Sequence, residues 1–558
     1  MSLLDKVTSL YESKYCIFIL IIAVTIFTHL FNPIGFPSVH VDEGIYMYRA
    51  MHLLSFGNLE WNTSFYDHPY FGPIILASVL YMINFPAIII PDLNDYSSVE
   101  LAYIVPRLIM GFFSILDTIL LYAITKIHYN RNVAIISSLL FSIMPLTWAM
   151  RRIYLESILY PFLLTAILIV VYLKSSKNLS VKTGNFLIFV SGIMLGLSIF
   201  TKAPMIDMVP LLTFYIYIYK RKIFQIFLFL IPTILIPLLW PIDALLSGEF
   251  DQWTIGVISQ LERQNGSILN ALYDLYSIDP ILLVMGLAGT IFAVIRKDLF
   301  LILWIVPFLI VFSFFISYVN WFHLIPIFGV FCIASGVMID WLIKRSSKAR
   351  IIPISIISVV IFIGFFSTLV LISTNISSFQ YQSMVYINTL LSRTPESSIQ
   401  YSYKTIFSTP PPVTPSKVNQ NIDSWDTTPH HLENNNTSDN YSTVIISSPI
   451  YSWIYKFIYG YDGTFSSYTE NKEVNKEDKV ILVLDRYFRD FLVNSVESRN
   501  KSWNSDLTTS TNLYSAFVGL NSTKYFNGTA DDYDMEQYPF TSMRFNLGGS
   551  PVEIRTDL

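Results

Sequence analysis

The stretch FGPIILASVLYMINFPAIII, residues 71–90, is apolar and long enough to cross a bilayer, for which about 20 residues suffice. Whether it crosses sets the orientation of everything that follows. The next ten residues, PDLNDYSSVE, are acidic and carry no Lys or Arg, whereas cytoplasmic loops carry an excess of both. A crossing here would turn every later basic loop to the outside. Pro73 and Pro86 suit a broken helix. The segment is therefore expected to lie in the outer interface, or to dip in and return.

With 71–90 set aside, eleven apolar segments remain, at about 15–34, 101–124, 132–149, 157–173, 184–201, 204–219, 223–241, 281–295, 299–317, 324–342 and 352–373. An N-terminus placed inside puts these basic residues inside: Lys6 and Lys14; Lys126 and Arg131; Lys174, Lys177 and Lys182; Lys220, Arg221 and Lys222; Arg296 and Lys297; Lys344, Arg345, Lys348 and Arg350. Elsewhere in the first 373 residues there are only Arg49, Arg107, Arg151, Arg152, Lys202 and Arg263. This asymmetry is the one the positive-inside rule predicts. The expected fold is a polytopic α-helical membrane protein with eleven spans and outer juxtamembrane helices, the N-terminus cytoplasmic.

Composition agrees. Of 558 residues, 53% are hydrophobic, 16% aromatic and 14% charged, and mean hydropathy is +0.50. Soluble domains carry about 25% charge, so a soluble enzyme, a disordered chain and a collagen-like chain are excluded. A net charge of −4 argues against a nucleic-acid partner. The two cysteines, Cys16 and Cys332, lie in apolar stretches and form no disulfide framework or Cys zinc site.

Near residue 374 the chain changes character, which divides it into a transmembrane domain, 1–373, and an extracytoplasmic domain, 374–558. The second contains a loop-like, flexible segment near 405–440. STVIISS and KVILVLD read as buried strands, and PIYSWIYKFIYG and RYFRDFLVNS as helices, which suggests a small α/β domain. Sequons occur at Asn375, Asn435, Asn436, Asn440, Asn500, Asn521 and Asn527; an Asn- and Ser-rich chain makes many by chance, and their use requires this domain outside the cytoplasm.

Candidate chemistry gathers at the outer face. The first outer loop, about 35–100, opens with HVDEGIYMYRAMHLLSFG, in which Asp42 and Glu43 precede an amphipathic helical pattern. Adjacent acids at a helix start have a bland alternative role in the helix dipole. The loop continues with SFYDHPYFG, placing Asp67 and His68 before the 71–90 segment. Arg107, Arg151, Arg152, Glu156, Lys202, Asp207 and His323 all fall near the same face. Snorkelling accounts for any one cation; cations gathered with carboxylates against the positive-inside trend point to a site. Such a groove beside the bilayer suits a lipid-linked phosphate substrate. Cations hold the phosphate, a carboxylate takes a proton from an acceptor hydroxyl, and phosphate leaves without a general acid. No metal-ligand spacing and no cofactor motif is present.

VDEGIYMYRA, FYDHPYFG, the PRLIMG segment, RRIYLES and GLSIFTKAP follow one another in an order that resembles glycosyltransferase family 39. This is the protein O-mannosyltransferase family, related to bacterial aminoarabinose transferases and built on the GT-C fold. The resemblance covers roughly the first 240 residues. It implies an inverting transfer of a sugar, mannose or a similar hexose, from a polyprenyl- or dolichyl-phosphate donor to a hydroxyl on a protein or lipid acceptor, at the outer membrane face. It implies Asp42 as catalytic base with Glu43 as its partner acid, and Asp67 and His68 in the next family motif. Glu156 stands where the family usually has Asp, and Arg107 and Lys202 where donor phosphate is bound. Arg151, Arg152 and His323 join these as substrate-binding candidates. Tyr70 and Pro73 depart from the family's usual Pro and Lys. No MIR-type module follows the seventh span, which leans prokaryotic or archaeal.

Other functional classes fit the same residues less well. A transporter would need midplane polar groups and inverted repeats, and neither is visible. A surface assembly protein acting through its C-terminal domain leaves the Asp42–Glu43 constellation unexplained. An oligosaccharyltransferase carries a WWD-type motif, and the nearest approach here is SWDTTP at 424–429, with a single Trp.

Overall fold

The computed structural model describes residues 16–57, 65–88, 96–176, 178–261, 267–316, 318–346, 351–391, 399–402, 443–447, 449–458, 479–485, 522–526 and 552–556. The segment near 405–440, the RYFRDFLVNS stretch, the SWDTTP segment and all sequons but Asn375 lie outside the described residues.

Every one of the eleven apolar segments is helical. Among the described residues, five helical stretches are long and apolar enough to cross a membrane by themselves: Tyr96–His128, Leu155–Ser175, Val181–Thr201, Trp321–Arg345 and Ile351–Ile372. Three bent pairs raise the number to eight: Arg131–Ile143 with Pro145–Arg151, Ile223–Leu235 with Leu239–Leu246, and Pro280–Ile295 with Leu299–Phe314. The first pair breaks by 68° at Pro145, since a proline disfavours the helical conformation of the residue before it. The third bends by 119° at Arg296–Asp298, where Asp298 caps the returning helix by accepting from the Phe300 and Leu301 N–H groups. Cys16–Leu30 and Ala203–Tyr219 are apolar but shorter. The 71–90 segment forms only a 12-residue helix, Phe71–Met82, followed by turns, too short to span.

The helices bury a common apolar core and turn apolar side chains outward. Ile351–Ile372 exposes Ile352, Ile356, Val359 and Phe362, a stripe that only lipid would solvate well. Close approaches are built on glycine: a side chain at Gly192 would collide with the Phe229 carbonyl. Gly192 and Gly196 form the small-xxx-small pattern of packed membrane helices. The chain is a multi-pass membrane protein.

At one end of the bundle the basic loops come together. Tyr129 donates to Asp298 at 2.8 Å, Asn130 donates to Asp340 at 3.0 Å, and Lys344 pairs with Asp340 at 2.6 Å. At the other end lie the Val41–Phe56 helix and the region after residue 373. There the Ser378–Leu391 helix is followed by a five-stranded sheet of order β1-β2-β3-β5-β4. Strands β1 (Ile399–Ser402), β2 (Thr443–Ile446) and β3 (Lys479–Leu484) are parallel, whereas β5 (Val552–Thr556) is antiparallel to both β3 and β4 (Ser522–Phe526). The Pro449–Phe457 helix joins β2 to the bundle.

Candidate functional site

The site is organised by the Val41–Phe56 helix. His40 caps it: its ring accepts from the Asp42 N–H at 3.3 Å, while its own N–H donates to Glu43 at 2.9 Å. Because successive residues on a helix point about 100° apart, the two neighbouring acids face different surroundings.

Glu43 is fully buried. Its Oε2 accepts from Arg107 Nε at 2.9 Å and from the Ile153 N–H at 3.2 Å; its Oε1 accepts from Arg107 Nη2 at 2.7 Å and from His40 N–H. Arg107 spends its remaining hydrogens on the carbonyls of Pro33, Pro37 and Ser38. Every N–H of the guanidinium is used. The sequence put Glu43 with the catalytic acid and Arg107 at the donor phosphate; the structure joins the two to each other. Arg107 has nothing left for a donor phosphate, and Glu43 has no free lone pair for a proton; the pair fixes the loop that carries Asp42.

Asp42 is 21% exposed, with His40 Nδ1 at 3.9 Å. Tyr46 and Arg49 follow it along the same helix face, one and two turns on. Arg49, nearly buried, pairs with Asp67 at 2.9 Å. Tyr46 is buried, and that burial, followed by the charges of Asp42, Glu156 and Asp67, holds its hydroxyl well above the ordinary phenol value, against an opposing pull from Arg49. Tyr46 is therefore a neutral hydroxyl within the electrostatic reach of three carboxylates.

Glu156, in the first turn of Leu155–Ser175, is paired with Lys202, which ends Val181–Thr201. Both are buried, and the Lys202 ammonium stands 5.8 Å from the centre of the Phe322 ring. Phe322 packs on Tyr154 at 5.4 Å and on His40 at 5.7 Å, and His40 packs on Tyr154 at 5.3 Å. This aromatic wall carries the site continuously from Asp42 to Lys202.

The remaining candidates separate. Arg152 is buried, donating to the Tyr154 hydroxyl and to Ser38, with its guanidinium 5.0 Å from the Trp148 ring. Arg151 is buried and donates to the carbonyls of Phe31 and Asn32. Both hold the loop from beneath. His323 accepts from the Asn320 N–H at 3.1 Å within a cap and packs edge-on against Phe322. Asp207 is buried, in the turn after Lys202. His68 follows Tyr66, whose hydroxyl donates to Glu249 at 2.8 Å. Arg49, Tyr46 and His40 were not singled out from the sequence. Arg49 alone carried a signal, as one of the few cations outside the basic loops. Among the described residues no group of three or more His, Cys, Asp or Glu side chains is placed to hold a metal ion.

Residues 15–242 match the sequence model of the family Dolichyl-phosphate-mannose-protein mannosyltransferase. No curated protein sequence matches the chain. The fold is similar to that of ArnT from Cupriavidus metallidurans bound to undecaprenyl phosphate: TM-score 0.54, 11% identity, 98% of this chain and 99% of that one covered. It is also similar to the archaeal oligosaccharyltransferase AglB from Archaeoglobus fulgidus in complex with an inhibitory peptide and a dolichol-phosphate: TM-score 0.52, 12% identity, 93% and 74% covered. The apo form of the Archaeoglobus fulgidus oligosaccharyltransferase gives a TM-score of 0.53 at 12% identity over 93% and 74%. The family match covers the segments that carry Asp42, Asp67, Arg107, Glu156 and Lys202, and the likeness of fold extends over nearly the whole chain: this is a membrane glycosyltransferase, similar over residues 15–242 to that mannosyltransferase family and in its fold to these structures.

Proposed function

We propose that the chain transfers a hexose, mannose by the family description, from a polyprenyl- or dolichyl-phosphate donor to a hydroxyl acceptor, a protein side chain in preference to a lipid, in one inverting displacement. Asp42 takes the acceptor proton as the acceptor oxygen bonds to the anomeric carbon. The bond from that carbon to the phosphate oxygen breaks, and lipid phosphate leaves without needing a proton. Lys202 meets the phosphate and stabilises the growing charge; Glu156 holds it in place while the site is empty. The Arg49–Asp67 pair and the neutral Tyr46 hydroxyl border the sugar. Arg107, Glu43, Arg151 and Arg152 build the loop. Outward orientation is supported by the grouping of basic loops at the end opposite Asp42.

The observation that carries this reading is the contrast between adjacent acids: Glu43 is sealed against Arg107, and Asp42 is partly exposed next to His40, at the start of the aromatic wall that reaches Lys202. The test is incubation of purified protein with a panel of polyprenyl-phosphate sugars, measuring released lipid phosphate. Asp42→Asn is expected to lower turnover by about 10²–10⁴-fold in a folded protein. Undiminished turnover in that variant removes Asp42 as the base.

A further inference from the structure

The region after residue 373 lies beyond the family match and is stitched to the loop that carries Asp42. The Gln380 side chain pairs with the Val39 backbone in both directions: Val39 N–H donates to Oε1 at 3.0 Å, and Nε2 donates to the Val39 carbonyl at 3.1 Å. Both residues are buried, and Val39 stands three residues before Asp42. Ser377 adds a bond to the Pro37 carbonyl at 3.0 Å, and Asn32 reaches back to the carbonyls of Ile372 and Thr374.

A second contact reaches the same helix further along. The Pro449–Phe457 helix lies against Val41–Phe56, with Ile450, Tyr451, Trp453, Ile454 and Tyr455 buried. Lys456 donates to the Tyr48 hydroxyl at 2.8 Å, with its ammonium 5.2–5.6 Å from the rings of Tyr48, Phe56 and Phe457. Trp453 donates to the Tyr103 hydroxyl at 2.9 Å, and Tyr103 in turn donates to the Ile450 carbonyl at 2.8 Å. The Asp42 helix is thus held by Arg107 on one side and by the later chain at its start and along its length.

We infer that the region after residue 373 is part of the catalytic apparatus, with Gln380 and Lys456 as positioning residues that fix where the Asp42 carboxylate stands. The inference rests on Asp42 as the base. A side-chain amide that copies a backbone bridge is a rigid tie, because both partners are planar and out of water. Displacing a catalytic group by about 1 Å costs up to about 10²-fold in rate, so a tie this close to the base governs kcat more than donor affinity.

Two readouts test it on the full-length protein. Gln380→Leu removes both bonds at similar volume. Amide hydrogen exchange across residues 38–44 is expected to accelerate. kcat is expected to fall about 10–100-fold with donor KM within about twofold. Lys456→Met, which keeps the stem but loses the charge and the Tyr48 bond, is expected to do the same more weakly, and it replaces the first variant if that one does not fold. Unchanged exchange overturns the tie. Faster exchange with unchanged kcat, or a loss confined to KM, overturns the positioning role. The exchange measurement needs no turnover, so it decides the tie even if the wild-type protein releases no lipid phosphate.

Discussion

At residue scale, the lesson lies in Asp42 and Glu43, which look interchangeable in sequence and are opposite in structure. The Arg107–Glu43 pair is buried and fully hydrogen-bonded. Removing one member leaves a bare charge in the core, at about 3–5 kcal/mol. Arg107→Met is therefore expected to lower the melting temperature in detergent sharply, and whatever protein survives should keep its donor KM. Lys202→Met also strips a buried carboxylate, Glu156, of its partner and is expected to lower the melting temperature as well, but, unlike Arg107→Met, to raise donor KM; a donor titration separates the two variants. The pairings themselves were not legible in the sequence. Glu43 with Arg107, Arg49 with Asp67 and Glu156 with Lys202 join residues on different elements, and no spacing rule links them. The residue types were legible because an ionisable side chain at membrane depth is costly enough to stand out.

At the scale of elements, periodicity and length did most of the predicting. The amphipathic pattern after Asp42 gave the Val41–Phe56 helix, and the apolar segments gave helices at their expected places. The breaks were less visible. Pro145 stops one expected span and turns the chain by 68°, but Pro106 and Pro161 sit inside unbroken helices, so proline alone did not tell which would bend. Close packing between neighbours offers a test. Gly192→Leu would drive a side chain into the Phe229 carbonyl, on the facing Ile223–Leu235 helix. It is expected to lower thermal stability in detergent by more than Gly248→Leu, where no neighbour lies within 4 Å and the strain is confined to a positive φ. A comparison of melting curves distinguishes packing from backbone strain.

On the scale of the whole molecule, charge separates the two ends. Lys344, Asp298 and Asn130 meet at one, and Asp42, Lys202 and the β-sheet region at the other. In membranes, a single cysteine at Lys524 is expected to react with an impermeant reagent from outside, and one at Lys297 only after permeabilisation, with Cys16 and Cys332 replaced by Ser. Reversed labelling would invert the orientation. The architecture was legible from charge and hydropathy; the union of the two regions was not, because the Val39–Gln380 tie is written in a backbone pair and a single amide. That tie also bears on biosynthesis. A polypeptide leaving the ribosome and halted before position 380 would hold every acid of the cleft and none of the amide that seats Val39. Premature products would turn over slowly, and quality control would contend with few half-made chains consuming donor.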